Sequence, residues 1–156
     1  MNSDFKELLQ CFAKHRVRYL VVGGYAVIHY SQPRYTKDLD LWLEPSADNA
    51  RKVAMAFREF GIPLIEITEV DLAQPGTQFM LGRAPVKFDF LTSIPPLGFA
   101  PCWARRKRVR HDFGGVNYLS LTDLRVAKTH ADRTQDRADL EELARRPKRR
   151  PRSKNR

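Results

Sequence analysis

Three acidic residues and a pair of glycines carry the chemistry that this sequence suggests. Gly23 and Gly24 end one apolar run, and Asp38 and Asp40 lie two residues apart in the next one. A glycine turn that opens a helix offers backbone N–H groups and the positive end of the helix dipole to an anion. Two carboxylates at this spacing on a strand share one face, where they can hold hard divalent cations. The pattern predicts a phosphate-binding turn next to a metal-binding strand.

A third carboxylate, Asp89, lies alone among apolar neighbours on another predicted strand. Two metal ions at a separation of about 3.5–4 Å can bind a triphosphate and lower the pKa of an attacking hydroxyl, and about three carboxylates hold them. Asp38, Asp40 and Asp89 are therefore the candidate metal ligands and catalytic residues. Taken singly, each of these features is commonly structural, since exposed strands often carry acids and glycine pairs often form turns. Their order along the chain favours a catalytic site.

These residues resemble a known signature. The glycine pair Gly23-Gly24, the run from Arg34 to Asp40, and Asp89 are similar to the motifs of the DNA polymerase beta-like nucleotidyltransferase superfamily, and most similar to those of its small bacterial members. The resemblance implies a mixed β-sheet flanked by helices, an NTP held at the glycines, and two Mg²⁺ ions held by the three acids.

Two later runs, 124–128 and 133–140, resemble the distal helical motif of AbiE-type toxin nucleotidyltransferases. By that resemblance Lys128 contacts the nucleotide phosphates and Asp136 organises the site. Gln135 departs from the motif, because lysine is common at that position. An ordinary solvated lysine is an equally open interpretation of Lys128.

Arg34 and Thr36 precede the acidic strand and are further candidates for nucleotide binding. A guanidinium can neutralise a phosphate, and the threonine hydroxyl can brace the loop beside Asp38. The alternatives are a surface charge at Arg34 and a hydroxyl that merely begins a strand at Thr36.

The periodicity of apolar residues predicts an α/β (α+β) fold, with a mixed sheet and helices at the C-terminal end. Helices are expected over the first dozen residues with Ser3 as N-cap, over 25–30, from Ser46 to Phe60 with Gly61 as the stop, over 121–130 and over 135–143. Strands are expected at 18–22, 38–43 and 64–67. Two hairpins are expected, across 78–91 and across 108–119, with a proline-rich loop between them, and the second hairpin is expected to turn at Gly114-Gly115. The alternation in 38–43 predicts that the acids face away from the core.

Length and composition fit one domain. With 156 residues of which 42% are apolar, the chain can form a globular core, expected over 1–144, followed by a basic and disordered tail at 145–156. Cys11 and Cys102 lie in unrelated contexts and indicate neither a zinc site nor a disulfide scaffold. The longest uncharged stretch is short and broken by prolines, and the first residues lack the pattern of a secretory signal. We therefore expect a cytoplasmic protein without a membrane span.

The formal net charge of +10 is concentrated in two clusters. One is the tail, and the other is Arg105 to Arg108 with Arg110. Such segregation favours a polyanionic partner, and nucleic acid is the obvious one. The open alternative is that the basic tail only aids solubility.

The sequence thus predicts an enzyme that transfers a nucleoside monophosphate from an NTP to a hydroxyl and releases pyrophosphate. The basic clusters favour RNA as the acceptor, and with the AbiE-like motif they suggest a toxin that modifies tRNA and is paired with a cognate antitoxin protein. One alternative is an antibiotic nucleotidyltransferase that acts on a small molecule. Another is a catalytically inactive scaffold that binds nucleic acid or a protein partner.

Overall fold

A computed structural model of the chain describes residues 1–145, and within them a six-stranded mixed sheet is flanked by seven helices. The elements in chain order are α1 (Ser3–Lys14), β1 (Tyr19–Val22), α2 (Gly23–Tyr30), β2 (Asp38–Leu43), α3 (Ala47–Phe60), α4 (Glu69–Leu72), β3 (Gln78–Arg83), β4 (Val86–Leu91), α5 (Phe99–Ala104), β5 (Lys107–His111), β6 (Gly114–Tyr118), α6 (Leu121–Ala131) and α7 (Thr134–Ala144). The strands lie in the order β3-β4-β2-β1-β6-β5. The predicted fold class is confirmed, whereas the tail at 146–156 lies outside the described residues.

The strand register brings the predicted site residues to one place in the sheet. β1 and β2 are antiparallel, with Val22 opposite Asp40, so the glycines that follow Val22 lie beside the start of β2. β2 and β4 are parallel, with Asp40 opposite Asp89. Because β2 lies between β1 and β4, the end of β1, the start of β2 and the middle of β4 are next to one another in the sheet.

Both faces of the sheet are covered by apolar side chains. Leu39, Leu41 and Leu43 point to one face and pack with α1 and α3. The other face carries Asp38 and Asp40 and was expected to point away from the core. It holds a second apolar cluster, in which Trp42 is 1% exposed and packs edge-on against Phe99 of α5. The expectation was therefore wrong in part, because this face is also covered by a core cluster. The acids lie at the edge of that cluster.

Two predicted local structures differ from the observed ones between α3 and β5. Residues 64–67 form no strand but an irregular segment that leads into α4: Leu64 and Ile67 pack against the first cluster without backbone pairing, and Ile65 is exposed. The proline-rich stretch expected to be a loop contains α5, with Pro101 in its first turn. Proline is tolerated there because the first N–H groups of a helix have no partner within it.

The second hairpin turns at Asp112-Phe113, two residues before the predicted Gly-Gly turn, and both glycines lie in β6. Gly114 has φ +130°, and a Cβ at Gly115 would lie 3.0 Å from Nε of Arg108. The glycines are thus needed for strand geometry rather than for the turn. At the start of α1 the cap is Asn2, whose Oδ1 accepts a hydrogen bond from the N–H of Asp4, instead of the expected Ser3.

Within residues 1–145, none of the helices is both long enough and apolar enough to span a membrane.

Candidate active site

A cleft of about 470 Å³ opens at the end of β1, between the sheet, α6, α7 and the loop that precedes β2. The site residues predicted from the sequence all line it: Gly23, Gly24, Arg34, Thr36, Asp38, Asp40, Asp89, Lys128 and Asp136. The sheet contributes Asp38, Asp40 and Asp89, whereas α6 contributes Lys128 and α7 contributes Asp136. The structure therefore gathers into one cleft residues that are distant in sequence.

The glycine turn is in direct contact with the acidic strand. Gly23 has φ +64°, a conformation that side chains other than glycine rarely adopt, and a Cβ there would lie 2.0 Å from Oδ2 of Asp40. A Cβ at Gly24 would lie 2.6 Å from the hydroxyl oxygen of Thr36. The missing side chains thus make room for the carboxylate and for the loop that carries Arg34. The predicted bracing role of Thr36 stays a prediction.

In the part of the chain that the structure describes, the three acids of the sheet form no ion pair. Burial, together with the nearby Asp89 and Asp38, raises the pKa of Asp40 to about 7 against the opposing effects of the Gly24 backbone and Lys128. Burial also raises the pKa of Asp89, although Gln78 donates a hydrogen bond to its carboxylate at 3.3 Å. Carboxylates this close favour either a shared proton or a bound cation.

The donor set fits Mg²⁺, which prefers oxygen ligands. Asp38 Oδ1 is buried without any hydrogen-bond partner, and Asp40 and Asp89 are direct neighbours across β2 and β4. In the part of the chain that the structure describes, no three acidic, histidine or cysteine side chains are already gathered into a closed metal cluster. A cation bound by two of the three carboxylates would have to bring the third one closer. It would also give Asp38 Oδ1, which has no hydrogen-bond partner within residues 1–145, a partner.

The helical wall of the cleft carries a buried ionic network. The ammonium of Lys128 donates to Oδ1 of Asp136 at 3.1 Å and to Oδ2 of Asp139 at 2.9 Å, and its side chain is only 11% exposed. Solvated lysine is therefore the wrong interpretation of Lys128. Its predicted contact with nucleotide phosphates stays a prediction.

Asp136 connects the start of α7 to this network. Its carboxylate accepts from the backbone N–H of Arg133 at 3.1 Å and from Nε of the same residue at 2.7 Å. Burial alone would raise the pKa of Asp136, but the hydrogen bonds from Arg133 and Lys128 bring it below its ordinary value. Asp136 is thus a stably ionised group, as an organising residue must be.

Sequence reasoning missed Asp139, which is 1% exposed and pairs with Arg34 across the cleft at 2.7 Å. It also missed Gln78, Arg133 and Gln135, which line the same space. A signal for Asp139 was present, because residues three apart on a helix share a face and Asp136 was already a candidate.

The second basic cluster lies outside the cleft. Arg105 pairs with Asp123 at 2.9 Å, and the guanidinium of Arg106 lies 3.8 Å from the ring centre of Trp103. The other three basic residues are exposed on the edge strand β5 and make no ion pair within residues 1–145: Lys107, Arg108 and Arg110. None of the five lines the cleft.

The architecture is that of the nucleotidyltransferase fold. A crystal structure of the lincosamide antibiotic adenylyltransferase LnuA with lincomycin bound aligns with this chain at a TM-score of 0.60, covering 92% of this chain and 96% of that chain. The identity is 16%, so the likeness shows the fold alone. No protein-family model matches the sequence, and no curated protein matches it.

The raised pKa of Asp40 predicts a stability effect in the metal-free protein. The native state keeps on Asp40 a proton that the unfolded chain releases near pH 4. This difference in proton binding stabilises the native state fully below about pH 4, and the stabilisation is lost as the pH rises through 7. In EDTA at pH 8, Asp40→Asn should therefore raise the melting temperature by about 5 °C, with a smaller gain at pH 5.5.

Asp48→Asn is the matched control for this melting experiment. The pKa of exposed Asp48 is lowered by Lys52, so its replacement should slightly lower the melting temperature at pH 8. Equal melting temperatures for wild type and Asp40→Asn at pH 8 would contradict the electrostatic description of the site.

The contact between Gly23 and Asp40 predicts that Gly23→Ala damages the acidic site specifically. The variant should lose the rise in melting temperature that Mg²⁺ gives the wild type, together with roughly 2 kcal/mol of stability. Gly61→Ala is the control, since Gly61 also has positive φ but its Cβ would meet nothing within 4 Å. It should cost about 1 kcal/mol and keep the response to Mg²⁺. A Mg²⁺ response retained in Gly23→Ala would refute the prediction.

Proposed function

We propose that the protein is a metal-dependent nucleotidyltransferase that moves a nucleoside monophosphate from an NTP to a hydroxyl acceptor and releases pyrophosphate. The observation that carries this proposal is the contact of the glycine turn with Asp40 at the mouth of a cleft that also holds Asp38 and Asp89. The nucleotidyltransferase fold supports it.

The glycine turn supplies the phosphate-binding part of this mechanism. α2 begins at Gly23 after Val22, and no side chain caps its N-terminus. The N–H of Gly24 is directed at the carboxylate of Asp40. Within residues 1–145 the other N–H groups of the first turn have no side-chain cap, so they are available to a ligand, and the helix dipole favours an anion there. Gly23 and Gly24 would bind the phosphates that leave as pyrophosphate.

The three carboxylates supply the metal-binding and proton-transfer part. Asp38, Asp40 and Asp89 would hold two Mg²⁺ ions, which when bound neutralise phosphate charge and lower the pKa of the acceptor hydroxyl. Asp89 is the candidate base for that hydroxyl proton, because burial raises its pKa and so makes its carboxylate more basic. Lys128 and Arg34 would offset phosphate charge from the helical side of the cleft.

The cleft favours a small hydroxyl compound, neutral or cationic, as the acceptor. Its lining contains five acids and three basic residues: Asp38, Asp40, Asp89, Asp136 and Asp139 against Arg34, Lys128 and Arg133. The three acids of the sheet would be neutralised by the metal ions, and within residues 1–145 each of the three basic residues is already paired with Asp136 or Asp139. The lining therefore offers no unpaired cation to a polyanionic acceptor close to the reacting hydroxyl. The fold is shared with an enzyme whose crystal structure holds the antibiotic lincomycin, and this also supports a small-molecule acceptor.

RNA is the second candidate acceptor, as part of a tRNA-modifying toxin held by an antitoxin. The observation that favours it is the exposed row of Lys107, Arg108 and Arg110 on β5, without an ion pair in residues 1–145. Exposed arginine and lysine rows bind phosphate backbones without regard to sequence.

Transfer itself is tested by incubating the protein with each α-phosphate-labelled NTP, Mg²⁺ and either a panel of lincosamides and aminoglycosides or total RNA. Wild type should label an acceptor, and Asp38→Ala and Asp40→Ala should reduce the rate at least about 100-fold through loss of metal binding. Asp48→Ala, an exposed acid on α3, is the control and should retain the rate. Absence of labelling together with absence of NTP binding by calorimetry would favour the inactive scaffold.

The two acceptor classes are separated by a variant in which Lys107, Arg108 and Arg110 are all changed to Gln. If the acceptor is a small compound, labelling should stay within about twofold of wild type, because β5 does not line the cleft. If the acceptor is RNA, labelling should fall at least about tenfold at physiological salt, since each lost phosphate contact weakens binding. Labelled products are resolved by chromatography and by denaturing gel electrophoresis.

A further inference from the structure

Asp139 is a buried acid in the cleft that the proposed reaction has not yet used. It lies in the second turn of α7, and its side chain is 1% exposed. A carboxylate buried to this degree is retained in the ionised form only where cations and hydrogen-bond donors compensate it. Its partners therefore indicate what it does.

Both oxygens of Asp139 are occupied by donors from different elements. Oδ1 pairs with Nη1 of Arg34 at 2.7 Å and accepts from Nε2 of Gln135 at 2.9 Å. Oδ2 accepts from Nζ of Lys128 at 2.9 Å. Arg34 comes from the loop between α2 and β2, and Lys128 comes from the last turn of α6. One carboxylate thus joins two cations that the backbone does not connect.

The guanidinium of Arg34 lies over the glycine turn. A Cβ at Gly24 would lie 3.6 Å from Nη2 of Arg34, the nitrogen that is not paired with Asp139. Asp139 therefore holds one side of the guanidinium and leaves the other side next to the backbone that opens α2. Within residues 1–145, Asp139 is the acid that pairs with Arg34.

Asp136 cannot hold Arg34 and Lys128 together in this way. Its carboxylate is shared between Lys128 and the N-terminal end of α7, where it accepts from the backbone and side chain of Arg133. It makes no contact with Arg34. Within residues 1–145, Asp139 is the one acid that contacts both Arg34 and Lys128.

We propose that Asp139 is a positioning residue for the polyphosphate: it holds Arg34 over the glycine turn and Lys128 on the helical wall, so that both cations meet the phosphate chain of the nucleotide. This inference rests on the proposed function and adds a residue to the nucleotide-binding set. Asp139 itself would not touch the nucleotide, since both of its oxygens are already in use.

The inference is tested by nucleotide binding in Asp139→Asn, Arg34→Gln and the double variant, with calorimetry on Mg²⁺-tripolyphosphate and on each Mg²⁺-NTP. Each single change should weaken binding about tenfold, the effect of one misplaced charge-assisted hydrogen bond. The double variant should be no more than about twofold weaker than Arg34→Gln, because residues that act through each other are not additive. In the transfer reaction, Asp139→Asn should raise KM for the NTP about tenfold and lower kcat less than about threefold.

Asp132→Asn is the matched control, since Asp132 is an exposed acid that pairs with Arg137 at the end of α6. It should bind Mg²⁺-tripolyphosphate like wild type. Arg34→Lys tests positioning without disturbing α7. Lysine keeps the charge but lacks the planar guanidinium that reaches both Asp139 and the backbone at Gly24, so this variant should lose as much affinity as Arg34→Gln. This variant decides the question if Asp139→Asn does not fold, which melting curves will show.

Three results would overturn the inference. One is a wild-type affinity in Asp139→Asn or in Arg34→Lys. Another is tighter binding in Asp139→Asn, which would mean that Asp139 competes with phosphate for Arg34. The third is strict additivity in the double variant. If wild type itself neither binds Mg²⁺-NTP nor transfers, the proposed function fails and this inference fails with it; if wild type does both and Asp139→Asn equals Asp132→Asn, only the inference fails.

Discussion

The close approach of Gly23 to Asp40 is the contact on which the rest of the site depends. The antiparallel pairing of β1 and β2 sets Val22 opposite Asp40, so the chain must turn away directly over the carboxylate. Any side chain at Gly23 would overlap Oδ2 of Asp40, and the left-handed backbone there excludes most other residues. The turn and the acid therefore form one structural unit, and the start of α2 is fixed next to the negative charge of β2.

The cleft contains two kinds of carboxylate, which the structure separates by element. On the sheet, Asp38, Asp40 and Asp89 form no ion pair within residues 1–145, and burial raises the pKa of Asp40 and of Asp89. On the helical side, Asp136 and Asp139 are paired with lysine and arginine. The first group is suited to bind metal cations, since a cation removes an unfavourable charge interaction. The second group is suited to hold side chains in place.

This division supports the proposed chemistry at the level of charge. Magnesium at the sheet and the cations of the helical wall would approach a polyphosphate from opposite sides. The wall has one more cation than acid, because Arg34, Lys128 and Arg133 face Asp136 and Asp139. Within residues 1–145 each of these cations is already paired with an acid, and this supports the proposal of a small acceptor over a polyanionic one. The likeness to an antibiotic adenylyltransferase agrees with that preference at the level of fold.

The sequence determined those parts of the protein that follow from local rules. Period-two alternation placed Asp38 and Asp40 on one face of β2, and a glycine pair after a strand indicated a turn with free N–H groups, because both depend on the backbone of neighbouring residues. Local rules failed at the Asp112-Phe113 turn, because the register of β5 and β6 determines which residues form the turn. They also failed at 64–67, where Leu64 and Ile67 pack against the core without a strand partner. Only the tertiary structure decided that a second apolar cluster covers the face beyond Asp40 and that Asp139 pairs with Arg34. The physical reason is that these contacts join segments distant in the chain, which no local pattern encodes. The cluster brings α5 against β2, and the ion pair depends on the packing of α7 against α2 and α6.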